Sequence, residues 1–216
     1  TAAFRASDLG LNVALVERWP TLGGVCLNVG CIPSKALLHA AKVIDEAEDM
    51  GHHGITFGKP EIDAGKVNGW KQGVVDRLVG GIAGLAKQRK VTVIHGTGTF
   101  AGPNTLAIEH EGDTQQVEFK QCVIAAGSEP IALPGLPDDP RIVDSTGALE
   151  LDPLPERLLV VGGGIIGLAL GSVYATMGVP VTVVELSGQL MPGADIDLVK
   201  PLQKRLEARF EAIRLN

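Results

Sequence analysis

Leu158-Leu159-Val160-Val161-Gly162-Gly163-Gly164-Ile165-Ile166-Gly167 is the stretch on which the fold turns. An apolar run of strand length, entered from Arg157, meets a glycine turn, and the turn opens a second apolar run that continues to Met177-Gly178. The spacing is G-x-G-x-x-G. Gly162 permits a tight turn, Gly164 lets a pyrophosphate approach the backbone, and Gly167 lets the helix pack on the strand. Phosphate charge would then meet the amides of Ile165 and Ile166 at the positive end of the helix. A following strand, Val181-Thr182-Val183-Val184, ends in Glu185, 18 residues past Gly167. A carboxylate there suits the hydroxyls of an adenosine ribose, and with no arginine close behind it the pattern favours NAD over NADP. The plainer reading is a glycine-rich turn in some other α/β domain.

Working outward, the N-terminal region repeats the second half of this pattern. Residues 1–9 read as a helix stopped by Gly10, and Asn12-Val13-Ala14-Leu15-Val16 as a strand ending in Glu17. Glu17 stands to its strand as Glu185 does to its own, so it is a candidate ribose ligand of a first dinucleotide or a surface acid at a strand end. The periodicity predicts helices over 36–49 and 66–89, the second interrupted by Gly80-Gly81 and Gly84, which suggest close packing. Short strands are expected at 91–94, 105–108, 116–119 and 122–126, and Cys122 is expected to be buried in the last of them. A boundary near Leu151–Glu156 gives two domains, 1–150 and 151–216. Both ends read as interior to a longer chain: the first strand and glycine loop of the leading unit belong upstream of Thr1, and the second unit continues past Asn216.

A different chemistry lies in Gly23-Gly24-Val25-Cys26-Leu27-Asn28-Val29-Gly30-Cys31-Ile32-Pro33-Ser34-Lys35. Four residues separate the two cysteines, and Gly30 allows a bend that brings their sulfurs together. Cys31 precedes a helical run, whose positive end favours a thiolate, and Lys35 adds charge one turn on. Such a pair suits thiol–disulfide exchange. A structural disulfide or half of a zinc site would use the same spacing. His52-His53 have no cysteine or acid at metal-ligand spacing, so no metal site is expected.

Composition narrows the classes. A chain of 216 residues with 45% hydrophobic and 20% charged residues can bury a core, and 28 glycines suit close backbone approaches. A net charge of −6 without a basic run argues against nucleic acid. No apolar run reaches membrane-spanning length, and no signal peptide is seen. Three cysteines are too few for a disulfide framework, which suits a cytoplasmic protein with a catalytic pair.

The cysteine segment resembles the redox-active segment of the pyridine nucleotide–disulfide oxidoreductases, and its continuation Ala36-Leu37-Leu38-His39 is most similar to the dihydrolipoyl dehydrogenase branch. Glutathione and mercuric reductases share the cysteine spacing. The resemblance implies an α/β fold of two dinucleotide-binding, Rossmann-like domains with three-layer ββα architecture, both incomplete over these residues. It makes 1–150 an FAD-binding domain and 151–216 the N-terminal part of an NAD-binding domain, with the C-terminal dimer-interface domain absent. It implies that Cys26 and Cys31 form a redox disulfide and that Lys35 lies beside the flavin. It adds Gly23, Gly24, Gly98 and the segment Ala126-Gly127-Ser128 to Glu17 as FAD contacts, and Gly162, Gly164, Ile165, Ile166, Gly167 and Glu185 as NAD contacts. The expected reaction is oxidation of dihydrolipoyl groups of 2-oxoacid dehydrogenase complexes by NAD, in a cytoplasmic homodimer, with residues 1–216 alone inactive. Two departures stand out. The family's catalytic His–Glu base has no counterpart here, and Ala169 stands where the family usually has the glutamate that pairs with the lysine matching Lys35. Rival expectations are a glutathione- or mercuric-reductase-type enzyme, a non-catalytic flavoprotein scaffold, or a metal-binding module.

Overall fold

A computed structural model describes residues 1–216. The chain forms six α-helices and eight strands: α1 (Ala2–Asp8), β1 (Ala14–Glu17), α2 (Gly24–Val29), α3 (Cys31–Asp49), α4 (Ala64–Gln88), β2 (Thr92–His95), β3 (Thr97–Gly102), β4 (Thr105–His110), β5 (Asp113–Glu118), β6 (Leu158–Val161), α5 (Ile165–Thr176), β7 (Val181–Glu185), α6 (Ile196–Glu207) and β8 (Ala212–Leu215). Two compact units result. One comprises residues 1–28 and 75–129, the other residues 29–74 and 130–216. This division cuts across the boundary read near residue 150, because α3 packs with the second nucleotide-type unit.

In the first unit β1 and β2 pair in parallel, with Glu17 opposite His95. Leu22, Ala86 and Val91 are buried beneath them, with Phe4, Leu15 and Ile82 packed around. Strands β3, β4 and β5 form an antiparallel meander whose buried residue is Ile108. Beyond β5 the expected strand at 122–126 does not form. A strand needs a ladder partner for its amides and carbonyls. Here β1 and β2 pair with each other and this segment joins no sheet. Its apolar residues are left in water: Val123 and Ile124 are 74% and 75% exposed, and Cys122 is exposed rather than buried.

The second unit holds the larger core. β6, β7 and β8 form a parallel sheet in that order, Val161 opposite Val184 and Glu185 opposite Leu215. Val181 and Val183 on β7 are fully buried, under α5 through Leu168, Leu170 and Val173. Leu37 of α3 joins the same cluster. Lys71, 2% exposed, donates to the Leu149 carbonyl at 3.1 Å and to Glu150 Oε1 at 3.2 Å. Asn68 donates to the other Glu150 oxygen at 2.6 Å. The Asn68 bond, followed by the Lys71 ammonium, holds the Glu150 carboxyl below its ordinary range. Tyr174 donates to the carbonyls of Ala148 and Glu150, and burial pushes its phenol up.

Helix α4 differs from its expected packing. A Cβ built on Gly80, Gly81 or Gly84 would meet nothing within 4 Å, so these glycines face open space rather than a neighbouring backbone. No helix of the chain is long and apolar enough to cross a membrane.

Candidate functional site

The glycine turn is built as its spacing predicts. Gly162 takes φ +107°, which an L side chain rarely adopts. A Cβ on Gly167 would collide with the Gly162 carbonyl oxygen and come 2.9 Å from Val160 Cγ1, so only glycine lets α5 sit this close to β6. Gly164 is the N-cap of α5, and a Cβ there would meet nothing within 4 Å. The approach to the helix amides is therefore open, flanked by the exposed side chains of Ile165 and Ile166. No acidic residue occupies the first turn to compete with an incoming anion.

Glu185 closes this site from the end of β7. Gly163 N–H donates to its Oε2 at 2.7 Å and Ser187 N–H to its Oε1 at 2.8 Å. These bonds, that from Ser187 foremost and then that from Gly163, hold the carboxyl below the ordinary glutamate range. The loop beyond is pinned back to the turn, since Met191 N–H donates to the Gly163 carbonyl at 2.8 Å. A buried glycine is required at 163 as well: a Cβ there would fall 2.7 Å from Leu190 Cδ2 and 3.1 Å from Glu185 Cβ. An open helix end, a backbone with room for phosphate and an ionised strand-end carboxylate together fit a dinucleotide such as NAD.

The cysteine segment is more helical than its sequence suggested. Cys26 is the third residue of α2, Cys31 the first of α3, and both are exposed. Gly30, between the helices, has φ −138°, so the sharp backbone turns fall earlier, at Gly23 (φ +117°) and Gly24 (φ +63°). A Cβ on Gly23 would collide with the Leu27 side chain. Asn28 braces α2 from within: its amide donates to the Gly24 carbonyl at 2.9 Å and its carbonyl oxygen accepts from Thr21 Oγ1 at 2.8 Å. Asn28 escaped notice in the sequence, where only its place between two cysteines marked it. Pro33 fits the first turn of α3, where its missing amide hydrogen costs no bond, and Lys35 is exposed on the next turn.

The remaining predicted contacts are scattered along the chain. Glu17 ends β1 and accepts from Trp19 N–H at 3.0 Å, which suits a strand-end ligand of FAD without the glycine turn seen at Glu185. Gly98 lies inside β3 opposite Ile108, where a Cβ would fall 2.9 Å from Leu106 Cδ2. Its small size thus has a packing reason within the meander. Ala126, Gly127 and Ser128 are exposed and outside any strand, with Gly127 at φ +77°. Ala169 is half-buried in α5.

Comparison with known proteins agrees with this chemistry. The family model described as pyridine nucleotide-disulphide oxidoreductase matches residues 1–215. Among curated proteins, the dihydrolipoyl dehydrogenase of Vibrio parahaemolyticus is 56% identical over 212 residues, 98% of this chain and 45% of that protein. Its namesake from Haemophilus influenzae is 53% identical over 213 residues, again 98% of this chain and 45% of the relative. The Geobacillus stearothermophilus dihydrolipoyl dehydrogenase is 43% identical over 215 residues, all of this chain and 46% of its own length. Among solved structures, the Cu(II) complex of the HOCl-induced flavoprotein disulfide reductase RclA from Escherichia coli superposes with a TM-score of 0.85 at 28% identity, over 99% of this chain and 46% of that one. The chain thus spans about half the length of the curated relatives it matches. With a strand–glycine turn–helix unit, a strand-end carboxylate and a C-x4-C segment in one α/β chain, and a family match over nearly every residue, the chain belongs to the pyridine nucleotide–disulphide oxidoreductases, a family dependent on FAD and NAD.

Proposed function

We propose that this chain carries the thiol pair and the NAD turn of a flavin-dependent disulfide oxidoreductase that oxidises dihydrolipoyl groups with NAD. One observation carries the reading: α3, which Cys31 opens, and α5, which the glycine turn opens, pack into a single buried core. Thiol chemistry and hydride acceptor are thereby served by adjacent helices.

Cys26 is the exchange thiol. A dihydrolipoyl thiolate attacks its sulfur within a Cys26–Cys31 disulfide; the S–S bond breaks and Cys31 leaves as a thiolate. The second substrate thiol then displaces Cys26, closing the lipoyl disulfide and leaving two electrons on the cysteine pair. Cys31 opens α3, and Lys35 lies exposed one turn further along it. Glu17, Gly23, Gly24, Gly98, Lys35 and the segment Ala126-Gly127-Ser128 would hold FAD, with Glu17 on its ribose. Gly162, Gly164, Ile165, Ile166 and Gly167 would seat the NAD pyrophosphate, and Glu185 its adenosine ribose. Bound FAD supplies the two-electron relay from the thiol pair to NAD. The whole protein is a cytoplasmic homodimer that takes lipoyl groups from 2-oxoacid dehydrogenase complexes.

The test is Cys26→Ser in the full-length protein. Lipoamide turnover should fall by roughly 1000-fold or more while flavin stays bound. Turnover kept within tenfold of wild type would overturn the assignment.

A further inference from the structure

Asp45, Thr176 and Arg209 form a polar tripod at the ends of α3 and α5 remote from the chemistry. Arg209 Nη2 donates to Asp45 Oδ2 at 2.6 Å and Arg209 Nη1 to Thr176 Oγ1 at 3.0 Å. The Thr176 hydroxyl in turn donates to Asp45 Oδ1 at 3.4 Å. The three residues belong to three elements: α3, the last residue of α5, and the turn between α6 and β8. The Arg209 and Asp45 side chains are 24% and 19% exposed, whereas the Lys42–Glu46 pair on the same helix is 69% and 63% exposed at 3.3 Å. Exposed pairs of the latter kind contribute little. A shielded guanidinium fork is directional and fixes geometry.

That directionality matters because the rest of the α3–α5 contact has none. Leu37 packs in one apolar cluster with Leu168 and Val173, and the hydrophobic attraction that gathers them is non-directional. Asp45 lies 14 residues beyond Cys31 and Thr176 lies 12 beyond Gly164. At helical rise these are lever arms of about 21 and 18 Å. A rotation of about 3° at the tripod would therefore shift the far end of either helix by roughly 1 Å, enough to cost on the order of 100-fold in a reaction that needs alignment.

We infer that Asp45, Arg209 and Thr176 are positioning residues: they lock the register of α3 on α5 and so the placement of the Cys31 end relative to the glycine turn. The inference rests on the functional reading above. It predicts a selective defect, since thiol exchange needs only the cysteine segment whereas electron delivery to NAD needs both helix ends aligned.

The experiment uses the full-length flavin-loaded protein with Asp45→Asn, Arg209→Gln, the exchanged pair Asp45→Arg with Arg209→Asp, and Glu46→Gln as a control. Stopped-flow absorbance separates flavin reduction by dihydrolipoamide from its reoxidation by NAD+. Amide hydrogen exchange over residues 165–176 reports the packing itself. Either single variant should slow reoxidation at least fivefold and speed amide exchange at least fivefold, with reduction within twofold of wild type. The exchanged pair should recover half or more of the lost rate, and Glu46→Gln should match wild type in all readouts. Unchanged reoxidation, or an equal fall in both half-reactions, overturns the inference. If the wild type itself is not reoxidised by NAD+, the functional reading falls and this inference with it. A wild type that turns over, with variants that match it, sinks the inference alone.

Discussion

Glu17 and Glu185 end equivalent parallel strands, yet they sit in different surroundings. Glu185 accepts amides from Gly163 and Ser187 and faces a glycine turn in which a Cβ at Gly163 or Gly167 would collide with its surroundings. Glu17 accepts the Trp19 amide of its own turn, on a two-stranded sheet. The difference teaches that an acid at a strand end is held in a fixed, ionised geometry by the backbone donors brought beside it. Sequence position alone nominates it. A carboxylate held ionised by amides keeps lone pairs free for two ribose hydroxyls and repels a phosphate in their place.

The sharpest way to break the comparison is the coenzyme. In the full-length enzyme the ratio of kcat/KM for NADH over NADPH should be about 100-fold or more, because a 2′-phosphate would meet the Glu185 carboxylate with no arginine close behind it in the sequence. Equal efficiency in steady-state assays would remove Glu185 from the ribose.

The next test sets two glycines of one turn against each other. Gly167→Ala should destabilise the protein by about 1–3 kcal/mol in denaturant unfolding, because its Cβ must displace the Gly162 carbonyl or Val160. Gly164→Ala, with open space around it, should unfold within about 0.5 kcal/mol of wild type and still weaken NAD binding in calorimetry. Normal NAD affinity in Gly164→Ala would mean the pyrophosphate does not approach that backbone.

The smallest effect compares the acids directly. Glu185→Gln should cost about 1 kcal/mol at pH 7 through its weakened bonds to Gly163 and Ser187, and Glu17→Gln less than about half of that. The sign with pH is fixed by the lowered carboxyl of Glu185. Its contribution is present above the ordinary glutamate range and is lost as pH falls through the lower folded value. The difference between wild type and Glu185→Gln should therefore shrink as unfolding is measured at pH values well below about 4.5. A gap that widens in acid would contradict the bonding seen at Glu185.

What could be read from sequence divides along the same line. The β6–α5–β7 unit was legible because glycine spacing, strand and acid are all local and each has a steric or electrostatic cause. Helix α2 was not, since Gly24–Val29 is only six residues long, too short to show an apolar period, and is held by the Asn28 bonds. Strand β3 was missed because Thr97–Gly102 is almost wholly exposed and owes its shape to pairing with β4. Strand β8 likewise takes its form from β7. The apolar run at Cys122–Ala126 misled in the opposite direction. Its pattern fits a buried strand, but a strand exists only where a ladder partner is present. The association of α3 with α5, and with it the tripod at Asp45, depends on contacts more than 100 residues apart that no window of sequence displays.

One helix carries a consequence for timing. Helix α4 threads glycines 65, 69, 73, 80, 81 and 84 through its 25 residues, and a side chain at five of the six would meet nothing. Each glycine lowers intrinsic helicity by roughly 1 kcal/mol relative to alanine, so the helix persists through a few anchors such as Val75, Ala86 and the Lys71 bonds. Between those anchors its amides open more readily than those of α5, whose buried face is continuous. Along α4 the molecule is therefore expected to breathe on a faster clock than along the helix that carries the glycine turn, which amide exchange of the two helices would show.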